Sequence, residues 1–538
     1  MQKILLLGDE AIAQAAIDAG LSGVYAYPGT PSTEITEYIQ HSKKAKEKGI
    51  HSTWSSNEKT AMESAIGMSY AGKRTMVCMK HVGLNVAADP FINSALTGAS
   101  GGMIVVAADD PSMHSSQNEQ DSRFYGKFAM IPILEPSNQQ EAYDMVFHAF
   151  EISEKFEIPV MLRITTRLAH SRAGVLRKEA IEQNKISLPK NLRQFVLLPA
   201  IARQRYKVLL KNQPIFENES ENSGFNSYSD GQDKSMGIIT SGIAYNYLSE
   251  NYPGQDIKYP VLKIGQYPLP RKLIEKMYSE CKEILVLEEG APVIEDSLKG
   301  YLGIGKRVKG RLDGTVPRDG ELNPNIVAVA LGMKDTRGSE VPSLTAGRPP
   351  SLCNGCPHID TYKALGEALA DYSKGRVFSD IGCYTLGALP PYEAINSCVD
   401  MGASITMAKG AADAGLTPSV AVIGDSTFTH SGMTGLLDAV NDRSNVKVFI
   451  LDNATTAMTG GQQSSATGKI EAICRGLGVE ESHIRVLKPI MNKHTENVQT
   501  IREELAYDGV SVIIPRRECI VALNKRMREK FKNKETKD

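Results

Sequence analysis

The chain has 538 residues, room for roughly three to four domains at ~150 residues each, and its 61 Lys plus Arg against 62 Asp plus Glu give a net charge of −1. That balance excludes a general polyanion binder such as a nucleic-acid protein, which needs a basic excess, and no apolar run approaches the ~18–20 residues of a membrane span. With 41% hydrophobic and 23% charged residues, and only Ile4–Leu7 as an apolar stretch ahead of Asp9 and Glu10, the expectation is a soluble, multidomain, cytoplasmic protein without a signal peptide.

Residues 1–195 read as repeated strand–loop–helix units. Lys3–Leu7 is a short apolar strand, and Asp9 then caps a helix with apolar positions Ile12, Ala15, Ala16 and Ala19, ended by Gly20. Val24–Tyr27 is a strand running into Pro28-Gly-Thr-Pro-Ser32, where Thr30 as N-cap and Pro31 at the first helical position start the next helix. Apolar runs at Thr75–Met79, Met103–Ala108 and Val160–Ile164 alternate with helical patterns, which predicts a parallel sheet covered on both faces. Residues 196–235 read as a linker, because Asn218–Lys234 is polar, rich in Gly, Ser and Asn, and lacks aliphatics. A smaller α/β block follows at 236–335, with strands at Gly237–Thr240, Val261–Ile264 and Ile284–Leu287. Beyond a Pro-bearing linker at Asp335–Pro350, the block 350–525 carries buried strands at Val420–Ile423, Lys447–Leu451 and Val510–Ile514; residues 526–538 continue a basic helical tail.

Eight cysteines in a chain of this length do not make a disulfide framework. Cys78, Cys281, Cys398 and Cys474 are isolated among apolar or helical surroundings and read as small buried hydrophobes. Cys353 and Cys356, Cys383 after Gly382, and Cys519 instead lie at strand or loop ends. A Cys-x2-Cys pair alone serves equally for zinc, for redox or for an iron–sulfur ligand set.

The strongest local signal is Val420-Ala-Val-Ile-Gly424-Asp425-Ser426 followed by Lys447-Val-Phe-Ile-Leu-Asp452-Asn453-Ala-Thr455. Two buried strands deliver Asp425 and Asn453 to one carboxyl edge, where parallel sheets bind ligands. The Asp425 carboxylate, the Asn453 amide oxygen and the Thr455 carbonyl are three hard oxygen donors. Such a partial set suits Mg²⁺ completed by phosphate oxygens, and Gly424 admits a diphosphate to the backbone. The bland alternative is two strand ends with polar caps, which the paired spacing disfavours.

With these motifs in place the chain resembles the alpha subunits of indolepyruvate ferredoxin oxidoreductase, within the 2-oxoacid:ferredoxin oxidoreductases. The resemblance runs through Tyr27-Pro-Gly-Thr-Pro-Ser32, Asn57-Glu58-Lys59, Met79-Lys-His-Val-Gly-Leu-Asn85 and Asp110–Asp121. It continues through Leu352-Cys-Asn-Gly-Cys-Pro-His358, Asp380-Ile-Gly-Cys-Tyr-Thr-Leu386, Met401-Gly-Ala-Ser404 and Ala457-Met-Thr-Gly-Gly461. It implies an α/β thiamine-diphosphate-binding fold: a pyrimidine domain (1–195), a transketolase C-terminal-like middle domain (236–335) and a diphosphate domain (350–525). It implies oxidative decarboxylation of a 2-oxoacid to acyl-CoA, with thiamine diphosphate, Mg²⁺ and one 4Fe-4S cluster.

Residue by residue, Glu58 matches the family's catalytic glutamate against the aminopyrimidine ring, although a Glu in a first helical turn is also favourable for the helix dipole. Thr30 matches a residue reaching the keto group, and His81 lies in a catalytic loop motif. Gly382, Met401, Gly402, Gly424, Asp425, Ser426, Asn453, Thr455 and Met458 are implied at the cofactor, with Asp425, Asn453 and Thr455 on Mg²⁺. Cys353, Cys356, Cys383 and Cys519 occupy the positions of the cluster ligands, with structural zinc or incidental thiols as alternatives. Lys80, His81, His114 and Arg123 are candidates for the substrate carboxylate, and His358 for a neighbour of the cluster.

Two departures refine this. Ala107-Ala108-Asp109-Asp110 stands where the pyruvate branch has an Arg, and Met458 replaces an Asn, which points to an aryl or branched 2-oxoacid. Better-known relatives continue into a two-cluster ferredoxin domain, whereas 19 residues and no Cys follow Cys519 here. Electrons are therefore expected to leave through a separate ferredoxin or other carrier, and a smaller beta subunit is expected to complete a heterotetramer. A non-oxidative thiamine-diphosphate decarboxylase and a non-catalytic subunit of an electron-transfer complex remain the rival readings.

Overall fold

The computed structural model describes residues 3–535 except 56, 188, 196–198, 302–306, 312, 318–319, 335–340, 348–349, 397–400, 414–415 and 442. Cys398 therefore lies outside the described residues. Residues 1–340 form one compact unit and 341–538 a second.

In the first unit, strands such as Met103–Asp109 and Val160–Thr165 are buried at every position, as expected for parallel strands covered on both faces. They belong to a seven-stranded sheet with the spatial order Gln266–Tyr267, Ile133–Leu134, Val160–Thr165, Met103–Asp109, Thr75–Lys80, Gly23–Ala26, His51–Trp54. All neighbours are parallel except the edge strand Gln266–Tyr267, which pairs antiparallel with Ile133–Leu134. That edge strand comes from the 236–335 block. The block also builds its own sheet, in the order Arg307–Lys309, Glu283–Leu287, Met236–Ser241, Val261–Ile264, Ser227–Ser229. Its side chains share hydrophobic clusters with residues 1–195, Tyr143 and Val146 packing in one cluster with Ile238 and Leu248.

Four local expectations are corrected. Lys3–Leu7 is a strand, but it pairs antiparallel with Arg172–Leu176 in a separate ribbon, because Leu5 faces outward and only one face is buried. Asp9 does not cap its helix: Gly8–Asp18 is capped at Leu7, whose amide donates to Glu10. Thr30 and Pro31 lie in a turn ahead of helix Thr33–His41, with Ser32 at the cap. There Gly29 N donates to Thr33 Oγ1 at 2.9 Å, and Ser32 Oγ donates back to the Gly29 carbonyl at 2.8 Å.

The segment expected as a flexible linker (196–235) carries a helix, Pro199–Glu221, and a strand, Ser227–Ser229. Its polar residues work inward. Buried Asn226 accepts from the amides of Gly265 and Gln266 and donates to the carbonyls of Ser220 and Gln266. Polarity there satisfies buried backbone rather than seeking water.

The second unit is a five-stranded, wholly parallel sheet in the order Val377–Ser379, Ser419–Gly424, Val446–Leu451, Ser511–Pro515, Ile484–Leu487. A short hairpin, Thr455–Thr456 with Gln462–Gln463, stands beyond its carboxyl edge. Helix Ile520–Glu535 ends the described chain. No described helix of the protein is long and apolar enough to cross a membrane.

Candidate active site

In the first unit the parallel strands end at Ala26, Trp54, Lys80, Asp109 and Thr165, and the motif loops follow those ends. Glu58 opens helix Glu58–Tyr70 and is buried. Its carboxyl lies directly against Gly83: a Cβ at position 83 would stand 2.5 Å from Glu58 Oε1. The glycine of His81-Val-Gly83-Leu-Asn is thus the residue that admits Glu58, a role the sequence did not disclose. Lys80 covers Gly29, donates from Nζ to the Ser115 carbonyl at 3.0 Å, and has its pKa lowered by burial against the opposing charges of Asp110 and Glu58. Ser115 Oγ donates to the Thr30 carbonyl at 3.3 Å, so Thr30, Lys80 and Glu58 converge on one edge.

His81 is buried in the same place, its Nε2 3.2 Å from the Asn118 carbonyl and its Nδ1 without a hydrogen-bond partner. A carbonyl only accepts, so in the neutral ring Nε2 carries the proton and Nδ1 presents a buried lone pair.

The remaining carboxylate candidates divide. His114 is exposed and 3.2 Å from Glu321. Arg123 is fully buried and taken up by Asp121, Glu288 and the Ala291 carbonyl, so it is not available to substrate. Asp109 and Asp110 do not face an open site either. Asp109 accepts from Arg163 Nε at 2.7 Å and from the Ser122 amide at 3.0 Å. Asp110 accepts from Thr166, Ser116 and the Ser115 amide.

In the second unit, strand Ser419–Gly424 delivers Asp425 and strand Val446–Leu451 delivers Asp452 and Asn453. Asp425 is 2% exposed. Its Oδ1 accepts from Ser426 N at 2.8 Å, while Oδ2 is buried with no partner. Burial first, then the charge of Asp452, pushes its carboxyl up to about 7, with Ser426, Ser464 and Ala454 pulling the other way. Asn453 Oδ1 accepts from Thr455 N at 3.0 Å, and Thr455 Oγ1 donates to the Gln462 carbonyl at 3.0 Å. Thr456 Oγ1 donates to Ser426 Oγ at 3.0 Å, tying the hairpin to the Asp425 turn. Met401 is half-buried and Met458 exposed. Gly402 has φ +96°, and a Cβ there would stand 2.6 Å from Ser431.

Gly424, expected to admit a diphosphate, and Gly382, expected at the cofactor, both pack against the ring of Tyr384, which a Cβ would meet at 2.6 and 2.2 Å. Tyr384 went unassigned in the sequence. Its hydroxyl donates to Asp380, which also accepts from Ser404 Oγ at 2.5 Å and is pushed up to about 7 by burial.

The four singled-out cysteines gather beside this edge. Cys356 N donates to the Cys353 carbonyl, and Cys519 N donates to the carbonyl of Asn453 at 3.2 Å. Burial, then Cys519, Cys356 and Cys353 in that order, raises the Cys383 thiol to about 12. Among the described residues no three of these sulfurs lie within 4.8 Å of one another.

Arg517 ties the group together, donating to the Gly355 carbonyl at 2.7 Å, to Asp360 at 2.8 Å and to the Pro489 carbonyl. His358 is buried and held near 4 by burial and by the charge of Arg517; its Nε2 lies 3.4 Å from Asn453 Nδ2. It therefore bridges the Cys-x2-Cys loop and the Asp425/Asn453 turn. The other described cysteines, Cys78, Cys281 and Cys474, are buried as expected.

Residues 14–208 match the family described as pyruvate flavodoxin/ferredoxin oxidoreductase, thiamine diP-binding, and residues 380–514 match the thiamine pyrophosphate enzyme C-terminal TPP-binding domain. The chain is similar to indolepyruvate oxidoreductase subunit IorA of Archaeoglobus fulgidus, at 39% identity over 99% of this chain and 89% of that one. It is also similar to the protein of that name from Methanothermobacter marburgensis, at 40% identity over 97% of this chain and 87% of that one. Among solved structures, 2-oxoglutarate:ferredoxin oxidoreductase from Magnetococcus marinus matches with a TM-score of 0.51 at 16% identity, over 61% of this chain and 65% of that one, a likeness of fold.

Proposed function

The chain belongs to the indolepyruvate oxidoreductase subunit IorA family of 2-oxoacid:ferredoxin oxidoreductases, and from that premise we propose that it converts aryl or branched 2-oxoacids to acyl-CoA with reduction of ferredoxin. The observation that carries the reading is the convergence in the second unit. A buried Asp425 oxygen without a partner stands beside Asn453, and Cys519 is one backbone hydrogen bond from Asn453.

An orphaned buried carboxylate oxygen is costly unless a cation meets it. With the Asn453 amide oxygen and the Thr455 carbonyl, Asp425 makes a hard donor set suited to Mg²⁺ holding a diphosphate. Cys353, Cys356, Cys383 and Cys519 are the four thiols a 4Fe-4S cluster takes. Their spacing disfavours zinc, whose ~2.3 Å bonds place tetrahedral sulfurs about 3.8 Å apart. Held there, thiamine diphosphate would supply a carbon nucleophile and an electron sink for decarboxylation, and a cluster on the four cysteines would supply a single-electron acceptor.

Glu58, in its buried seat against Gly83, exchanges a proton with the aminopyrimidine ring. Lys80 brings a positive charge beside Glu58 and Thr30, and Thr30 reaches the keto oxygen. His81 Nδ1 is the acceptor poised for a proton at the same edge. Arg123 being internal, and Asp109 and Asp110 being anchored elsewhere, leaves no arginine among these loop residues to select a small charged substrate, which favours a larger apolar 2-oxoacid. A smaller beta subunit completes a heterotetramer. Coenzyme A takes the acyl group, and a ferredoxin or similar carrier takes the electrons, in a reducing cytoplasm that suits the free thiols.

The test is anaerobic co-purification with the partner subunit, iron and sulfide analysis, and viologen reduction with indolepyruvate, phenylpyruvate, 2-oxoisovalerate and pyruvate. About four irons per chain and a preference for aryl acids are expected, with loss of turnover in Glu58→Gln. A colourless, iron-free protein that decarboxylates without reducing viologen overturns the reading, and pyruvate as best substrate overturns the specificity.

A further inference from the structure

We propose that Asp9, Glu34 and His170 hold a divalent cation of the zinc or manganese class. One ligand atom from each lies within 4.8 Å of the other two. The three come from distant segments: the first turn of helix Gly8–Asp18, the first turn of helix Thr33–His41, and the end of helix Thr166–His170.

The cluster alone is not the argument. Asp9 is wholly buried, and neither of its carboxylate oxygens has a hydrogen-bond partner; Glu34 Oε2 is buried without one as well. Three orphaned carboxylate oxygens in one place demand a positive partner or a proton. His170 Nε2 stands 3.7 Å from Glu34 Oε1, close enough to pair with it when protonated, so an ion binds here by displacing the imidazolium proton.

Two helix N-termini at the site favour the ionised carboxylates that metal ligation requires. Without a cation, burial and then the charges of Glu34 and Glu10 drive the Asp9 pKa well above its ordinary value. Two oxygens and one imidazole nitrogen form a mixed donor set for which zinc or manganese is better suited than the all-oxygen cations. Glu34 and His170 are each about a third exposed, which gives the ion a way in.

Glu34 lies two residues after Tyr27–Ser32, so an ion here pins the loop that carries Thr30 to two other segments of the first unit. The inference stands without the proposed activity, since none of its residues belongs to the strand-edge sites.

The test titrates Mn²⁺ into the full chain, purified without thiamine diphosphate and carrying Asp425→Ala to silence the second unit. Electron paramagnetic resonance reads free Mn²⁺, a hard ion that the thiolates hold poorly. One bound Mn²⁺ per chain is expected, weakened about tenfold or more by His170→Ala and by Asp9→Asn. Mn²⁺ is also expected to raise the unfolding midpoint reported by Trp54 fluorescence in the Asp425→Ala protein and not in Asp425→Ala with His170→Ala. Absence of binding, or binding that both substitutions leave intact, overturns the proposal; His170, being partly exposed, is a substitution the fold tolerates.

Discussion

Replacing Arg163 by methionine is expected to unfold the first unit far more readily than any surface substitution. The Arg163 guanidinium is fully buried in strand Val160–Thr165. Nε donates to Asp109 at 2.7 Å, Nη1 to Glu135, and Nη2 to the Glu289 carbonyl at 2.9 Å and to Asp121 at 3.3 Å. A second buried guanidinium, Arg123, donates to Asp121 at 2.6 Å and to Glu288 at 2.9 Å. Two cations thus serve four carboxyls, joining the first sheet to the Glu288–Gly290 turn of the 236–335 block.

Removing one cation leaves Asp109 buried without its ion-pair partner and Glu135 with only Arg123, 3.8 Å away, as a counter-charge. Breaking a buried pair in this way costs about 3–5 kcal/mol. With a urea dependence of about 3 kcal/mol/M, the midpoint falls by about 1–1.7 M. Trp54, the one tryptophan of the chain, packs on the core of the first unit, so its fluorescence reports that unit alone. Lys43→Met, which breaks an exposed pair with Glu47, is the control and is expected to cost under about 1 kcal/mol. If Arg163→Met shifts the midpoint no further than Lys43→Met, the buried network is not what holds the block to the sheet.

Gly83→Ala places a Cβ 2.5 Å from Glu58 Oε1, so it is expected to displace the carboxyl and lower viologen-linked turnover about 100-fold with Trp54 fluorescence unchanged. Unaltered turnover refutes the seat assigned to Glu58. Arg517→Met frees the Gly355 carbonyl and Asp360, and is expected to weaken iron retention about 10–100-fold while all four cysteines remain; iron analysis after anaerobic gel filtration decides it. Burial pushes Glu289 up to about 7, against the charge of Arg311 and the Leu322 amide. Between its unfolded value near 4.5 and about pH 7 the native state holds the extra proton, so the first unit loses stability as pH rises through that window, by up to roughly 3 kcal/mol. Glu289→Gln is expected to flatten that slope in Trp54-monitored melts, and a persistent slope assigns it to another group.

The strand–helix alternation and the Asp425/Asn453 pairing were legible along the chain because both are local. A buried parallel strand is a run of apolar residues, and the polar residue ending it must sit at the carboxyl edge. The grouping of Cys353, Cys356, Cys383 and Cys519 was reachable only through family resemblance, since nothing in their spacing says that Arg517 draws the Gly355 loop onto the segment before Cys519. Folding alone revealed that Arg123 is internal, that Tyr384 occupies the space beside Gly382 and Gly424, and that the polar stretch around Asn226 faces inward. In each case the chemistry of the side chain was known but its partner was not. Whether an arginine meets solvent, substrate or a buried carboxylate depends on residues more than a hundred positions away, as Glu288 is from Arg123, and chain-local pattern carries no record of them.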